Sequence, residues 1–241
     1  MSLLSLHGVS RTVTAGDREN HVLRDVEFDL ERGEYAVVWG LRGSGRSTLL
    51  RIAAGIEPPD EGVVRFEGVE LKGSAGEALG RGIGYCHLHF GSGEGRGALD
   101  AVMMGLLARG VSPAHARARA EAALERCGAL GCRHVPMTGL ERSDAVRVAL
   151  ARTVAQDPRL IVVDDPTHGI ELIQRDGILL LLRALAGEGI AVLASTGEPT
   201  GLSGADRTLA LSEGRLRGSL APAELGEVVA LHGQGRRRAA G

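Results

Sequence analysis

The rhythm of apolar and polar positions changes along this chain. Leu3 to Val9 and His21 to Leu30 carry short apolar patterns, alternating from Val26 onward, that predict two strands parted by the polar turn Thr14-Ala15-Gly16-Asp17-Arg18-Glu19-Asn20. Glu31 to Glu34 reads as a turn into the apolar strand Tyr35 to Trp39, and Leu49 to Ala54 follows with helical spacing. The loop Gly55 to Gly62 leads to a strand at Val63 to Phe66. The period then becomes helical over Leu99 to Leu107 and from Ser112-Pro113 to Cys127, with Ser112 placed as an N-cap, Pro113 at the first helical position and Gly128 at the end. Ala114, Ala118, Ala122 and Leu124 alternate there with Arg117, Arg119, Glu121 and Glu125, the pattern of an exposed amphipathic helix. A further helix is predicted over Leu140 to Thr153, with Arg147 and Arg152 on a solvated face. The continuous run from Arg159 to Val163 suits a buried parallel strand. A helix over Gly177 to Leu185, a buried strand over Ile190 to Ala194 and a hairpin around Glu213-Gly214 complete the pattern.

Strands that alternate with helices predict an α/β chain. The 241 residues form a single domain, 1–241, with a helical insertion at about 91–150 and a C-terminal tail at about 219–241. Residues 91–100 are glycine-rich and weakly structured in this reading. The hydrophobic content of 44% supplies a sizeable core, and because Phe28, Tyr35, Trp39, Phe66, Tyr85 and Phe90 are all the aromatics, that core must be mostly aliphatic. A net charge of −2 gives no bulk attraction for nucleic acid, and Arg236-Arg237-Arg238 reads as a frayed terminus. Cys86, Cys127 and Cys132 form no even disulfide framework, so a reducing, cytosolic compartment is expected. The N-terminus lacks the basic and apolar regions of a signal peptide, and no run reaches the ~18 apolar residues of a membrane span. Any service to a membrane is therefore expected to be peripheral.

The chemistry concentrates at Gly40, Leu41, Arg42, Gly43, Ser44, Gly45, Arg46, Ser47 and Thr48. Strand, glycine loop and helix in succession are what a phosphate-binding loop requires, because glycines let backbone N–H groups turn toward an anion and the helix N-terminus adds partial positive charge. The spacing fits G-x-x-x-x-G-K-[ST] except that Arg46 stands where lysine is expected. The buried strand at 160–163 ends in two carboxylates, Asp164 and Asp165. His87-x-His89 has no third ligand at a useful spacing and reads as a pair of loop histidines.

The order of these pieces over residues 3–218 resembles the nucleotide-binding subunit of an ABC transporter. The likeness is carried by the loop Gly40 to Thr48, by Ile56 to Gly62, by Ile83-Gly84-Tyr85, by Arg147 to Arg152, by the strand ending in Asp164-Asp165-Pro166-Thr167, and by Ala205-Asp206-Arg207 with Glu213-Gly214-Arg215. The spacer Leu106 to Ser112 is similar to the lipoprotein-release and macrolide-export branch. The resemblance implies a P-loop NTPase core of the ABC-type ATPase, with an N-terminal antiparallel β subdomain and a helical insertion. It also implies ATP and Mg²⁺ as ligands, membrane-spanning permease subunits as partners, and a head-to-tail homodimer or heterodimer with another ATP-binding subunit. Each composite site then joins one chain's phosphate loop to the other's Leu-Ser-Gly-Gly-Gln signature.

Taken residue by residue, Gly40 to Thr48 would cradle the nucleotide and Ser47 and Asp164 would hold Mg²⁺. Asp165 falls where a glutamate that acts on the attacking water is expected, and its reach is shorter by roughly 1.5 Å on bond-length grounds. A misplacement of about 1 Å can cost on the order of 100-fold in rate. Arginine at 46 keeps the charge but is bulkier and planar. Leu88 stands in the glutamine slot, Gly197 in the switch-histidine slot, and no aromatic lies near Val13 to stack on adenine. Leu140-Glu141-Arg142-Ser143-Asp144 replaces the signature, without its glycines and with added negative charge. The implied activity is nucleotide binding with weak hydrolysis. The alternatives weighed are a hydrolysis-dead regulatory or structural subunit and, from another class, a soluble P-loop kinase or DNA-repair ATPase. Against the last, the chain has neither an arginine-rich lid nor a coiled-coil or zinc insertion.

Overall fold

The computed structural model describes residues 2–15, 18–88 and 97–220. The expectations for His89, for the glycine-rich run up to residue 96 and for the tail beyond residue 220 lie outside those residues.

The N-terminal part pairs β1 (Leu4–Ala15) with β2 (Arg18–Leu30) and with β4 (Glu61–Phe66), and β4 with β5 (Val69–Glu70), all antiparallel. β1 and β2 run well past their predicted ends: Thr12 pairs with His21, Val13 with Asn20 and Thr14 with Glu19. The segment expected as a turn is therefore mostly ladder. A two-stranded antiparallel ribbon satisfies its own backbone and needs no apolar face to do so, which is why hydropathy did not reveal it.

The second sheet has the order β10-β9-β3-β8-β7-β6. Here β3 is Tyr35–Trp39, β6 is Ile83–Cys86, β7 is Leu160–Val163 and β8 is Ala191–Thr196. The closing hairpin is β9 (Arg207–Ser212) with β10 (Arg215–Leu220), and only that pair is antiparallel. Its turn residues Glu213 and Gly214 have φ of 52° and 76°, the double left-handed conformation of a tight hairpin.

This sheet is the wall between two cores. Ala36, Val38, Leu160, Val162, Ala191 and Leu193 join the antiparallel sheet and helix α1 (Arg46–Ala53) on one side. Their alternates Tyr35, Val37, Ile161, Val163, Val192 and Ala194 face the helices α3 (Ala98–Leu107), α4 (Pro113–Arg126), α5 (Arg142–Val154) and α6 (Leu172–Gly187). Burial on both faces accounts for the unbroken apolar strands. A short helix α2 (Ala75–Gly80) precedes β6.

Three local expectations change. In α4 the buried stripe is Ala116, Ala120, Ala123 and Leu124, not the one through Ala114, Ala118 and Ala122. Alanines on every side gave the pattern no unique face, and packing against α3 and α5 chose one. Ser112 does hold the N-cap position, but its side chain makes no capping bond; its hydroxyl sits 2.8 Å from Nδ1 of His115. Helix α6 begins at Leu172 rather than at Gly177. Gly177 lies inside the helix where Arg147 of α5 crosses it, and a Cβ there would come within 2.7 Å of the guanidinium.

Two outcomes test the two cores. Leu50 is fully buried and Leu180 is 70% exposed, so Leu50→Ala is expected to cost about 2–5 kcal/mol of unfolding free energy and Leu180→Ala within ~0.5 kcal/mol, both read by urea denaturation. Burial pushes the thiols of Cys86 and Cys127 from 9.0 up to about 12. Burial, with the Asp164 charge, pushes the Tyr85 hydroxyl from 10.0 up to about 12, and burial raises Tyr35 as well. The unfolded chain releases these protons first, so it binds fewer of them than the folded chain in alkali. Stability is then fully present below the unfolded thiol value and is lost as pH rises from there toward the folded values. Urea midpoints that stay flat from about pH 8 to about 11 would contradict this burial.

Candidate functional site

The carboxyl ends of β3, β7 and β8 lie side by side, because β3 pairs with β8 and β8 with β7 in parallel. In open parallel sheets this edge is where ligands bind. The chain leaves β3 as the glycine loop and re-enters as α1, whose first residue is Arg46. Gly45 precedes it with φ of 103°, and a Cβ there would lie 2.6 Å from the carbonyl oxygen of Val22. Only glycine takes both that conformation and that approach. Gly40 is confined differently: its N–H donates to the Thr196 carbonyl at 3.2 Å, and a Cβ on it would meet the Leu211 oxygen at 2.5 Å. No side chain caps the N-terminus of α1, so its first backbone N–H groups have no side-chain acceptor from a cap. Ser44 Oγ and Arg46 Nη1 are buried with no hydrogen-bond partner. Leu41, Arg42, Gly43 and Ser47 are exposed, whereas Thr48 is buried against the core.

The carboxylates are already engaged. The Ser195 hydroxyl donates to Asp164 Oδ1 and accepts from the Asp165 N–H at 3.0 Å. Asp165 has φ of 51°, a left-handed conformation that aspartate tolerates better than most residues. Its Oδ2 lies 3.4 Å from Nη2 of Arg46. Among the described residues no group of three or more His, Cys, Asp or Glu could hold a metal ion. Ser47 with the free oxygen of Asp164 supplies a hydroxyl and a carboxylate. That pair fits Mg²⁺ only with phosphate oxygens and water completing the octahedron.

The remaining slots are placed as follows. Leu88 is half-buried against the helical-side core, so it presents no polar group to the strand ends. His87 stands over the Tyr85 ring at 4.8 Å between centroids, and burial, then the Arg152 charge, lowers its pKa. Val13 is 43% exposed on β1. Glu141 occupies the N-cap position of α5, and Asp144 lies in that helix's first turn. Arg142 turns away from the helix start and donates through Nε to the carbonyl oxygen of His168 in the loop after Asp165.

Arg147 and Arg152 correct the reading of a solvated face. Arg147 donates to the Cys127 carbonyl at 3.0 Å and Arg152 to the His87 carbonyl at 3.1 Å. Both carbonyls end elements from elsewhere in the chain, so spacing along α5 could not reveal them. Ser195 and Arg175 were also missed, and Arg142, read only within the stretch Leu140 to Asp144, has a partner that reading did not anticipate. Arg175 bonds the Ile170 carbonyl at 3.3 Å and Glu198 at 3.0 Å, tying the start of α6 to the loop after β8. Each has a partner 5 to 31 positions away, and no local signal marks the contact.

Gly45→Ala is expected to lower the melting temperature, because neither the backbone angle nor the Val22 carbonyl leaves room. Gly43→Ala is expected to cost less, since a Cβ there meets nothing within 4 Å and only its φ of 84° is strained. Calorimetry of the two variants reads the difference, and equal losses would contradict the loop geometry.

The family model described as ABC transporter matches residues 23–168. The chain is 34% identical over 223 residues to the lipoprotein-releasing system ATP-binding protein of Chromohalobacter salexigens, covering 89% of this chain and 92% of that one. It is 36% identical over 228 residues to the Fe(3+) ions import ATP-binding protein of Streptomyces coelicolor, covering 93% of this chain and 63% of that one. It is 34% identical over 219 residues to a macrolide export ATP-binding/permease protein of Paracoccus denitrificans, and spans 33% of that protein's length. Among solved structures, a dimeric ATP-binding cassette in a post-hydrolysis state, bound to ADP and phosphate, superposes with a TM-score of 0.82 at 23% identity over 91% of this chain and 98% of that one. That likeness establishes the fold.

Proposed function

The chain belongs to the ABC transporter family, and we propose on that footing that it is an ATP-binding subunit. It couples the nucleotide held at Gly40 to Thr48 to movements of membrane-spanning permease subunits. The observation that carries the reading is the loop itself. Its backbone tolerates only glycine at Gly45, and it leaves Ser44 Oγ and Arg46 Nη1 buried without partners. A buried donor left unpaired costs about 1–3 kcal/mol, and a bound phosphate supplies the missing acceptors. Leu41, Arg42, Gly43 and Thr48 complete the cradle.

Ser47 and Asp164 are the residues that would hold Mg²⁺, which would supply positive charge to offset that of the phosphates. The partners are permease subunits and a second ATP-binding chain, either a copy of this one or a different subunit, at the inner face of the cell membrane. No nucleic acid is involved. No helix among the described residues is long and apolar enough to cross a membrane.

Hydrolysis is weak in this reading. Asp165 would have to orient water while its carboxylate holds Arg46. Leu88 and Gly197 provide no side-chain donor, and Glu141 and Asp144 bring negative charge to the start of α5. The Arg46–Asp165 contact equally favours a second reading, a subunit that binds nucleotide and does not turn it over.

Melting temperature with and without millimolar Mg-ATP tests the binding. A ligand at about 100 times its Kd adds about 2.7 kcal/mol of stability, and an unchanged melting curve would sink both readings. Phosphate release by the purified chain is expected to stay below ~1 s⁻¹, under the usual range of about 1–10³ s⁻¹. Arg46→Lys is expected to leave it there, because the residues at Leu140 to Asp144 are unchanged. Full turnover in that variant would show that the loop alone sets the rate.

A further inference from the structure

Three residues that replace expected catalytic groups meet at one side chain, Arg46, which lies against both Asp165 and Gly197. Arg46 Nη2 lies 3.4 Å from Asp165 Oδ2, with the side chains only 12% and 29% exposed. On its other side the guanidinium lies against bare backbone: a Cβ on Gly197 would sit 3.2 and 3.3 Å from its two terminal nitrogens. A larger side chain at 197 would displace the arginine. The second terminal nitrogen, Nη1, is buried and has no hydrogen-bond partner.

We propose that Asp165 holds Arg46 in the place of a terminal phosphate, so that the site prefers a nucleoside diphosphate to a triphosphate. The proposal rests on the nucleotide-binding reading above and assigns its ligand. The pair is neutral as a unit, which leaves the backbone N–H groups at the start of α1, Ser44 Oγ and one guanidinium nitrogen to bind phosphate. Beyond Arg46 at the strand ends stand Asp164 and Asp165. A third phosphate brought there meets a carboxylate at short range in a poorly solvated site, where like charges repel strongly. It can recruit Arg46 only by breaking the contact and leaving Asp165 without its cation. Gly197 offers no side chain to take over either role. Asp165 is thus a specificity-determining residue that competes with phosphate for Arg46.

Isothermal titration of the full chain with ADP and with a non-hydrolysable ATP analogue, each with Mg²⁺ and with chelator, tests this. The wild-type protein is expected to bind ADP about tenfold more tightly than the analogue, the scale of one charge-assisted hydrogen bond. Asp165→Asn keeps the shape of the side chain and suits the left-handed backbone, but removes the charge. It is expected to tighten the analogue about tenfold and to leave ADP within about threefold. A wild-type chain that binds the analogue as tightly as ADP, or more tightly, overturns the proposal. So does an Asp165→Asn variant in which both nucleotides shift together, as a merely structural role would predict. The wild-type ratio needs no variant, so a failure of Asp165→Asn to fold does not shelter the idea. Absence of binding by either nucleotide overturns the nucleotide-binding reading, and this proposal with it.

Discussion

The central sheet must bury both of its faces, and the rest of the molecule follows from that constraint. Leu160 to Val163 are fully buried, with alternate side chains facing opposite cores. Polar groups cannot be accommodated along such strands without unpaired burial. They gather where the strands stop. Asp164 and Asp165 follow β7, Ser195 and Thr196 end β8, and Gly40 follows β3. Parallel pairing puts those ends in one row, and helix α1 starts there without a side-chain cap.

At that row one side chain joins what would otherwise be separate substitutions. An arginine in the loop, a shortened acid after β7 and a glycine after β8 form one contact set around the Arg46 guanidinium. A longer acid or a larger residue at 197 would compete for the volume the arginine fills. The three are mutually compatible, and this places them differently from independent losses. The surrounding frame is well tied: Ser195 bridges Asp164 and Asp165, Arg142 and Arg175 brace the loops on either side, and Thr196 fixes Glu198 through its hydroxyl at 3.1 Å.

How much was legible in the sequence depends on whether a feature is local. The loop Gly40 to Thr48, the carboxylates after the apolar run and the Glu213-Gly214 turn carry their information in adjacent residues, and the structure places the loop between β3 and α1, the carboxylates after β7 and the turn between β9 and β10. The glycine at 177 misled because glycine usually marks a helix boundary, whereas here it makes room for Arg147. The buried face of α4 was misassigned because alanine on all sides leaves the hydrophobic pattern without a direction. The polar ends of β1 and β2 were hidden because backbone pairing in a ribbon asks nothing of hydropathy.

By itself the sequence determined the alternation of strands and helices, the glycine loop between strand and helix and the family likeness, because each rests on periodicity or on spacing within a few residues. Only the tertiary structure decided what Arg46 does. Its partners are 119 and 151 positions away, and a guanidinium chooses among carboxylate, phosphate and water by geometry and solvation. The folded sheet sets those conditions when it brings β3, β7 and β8 to end side by side.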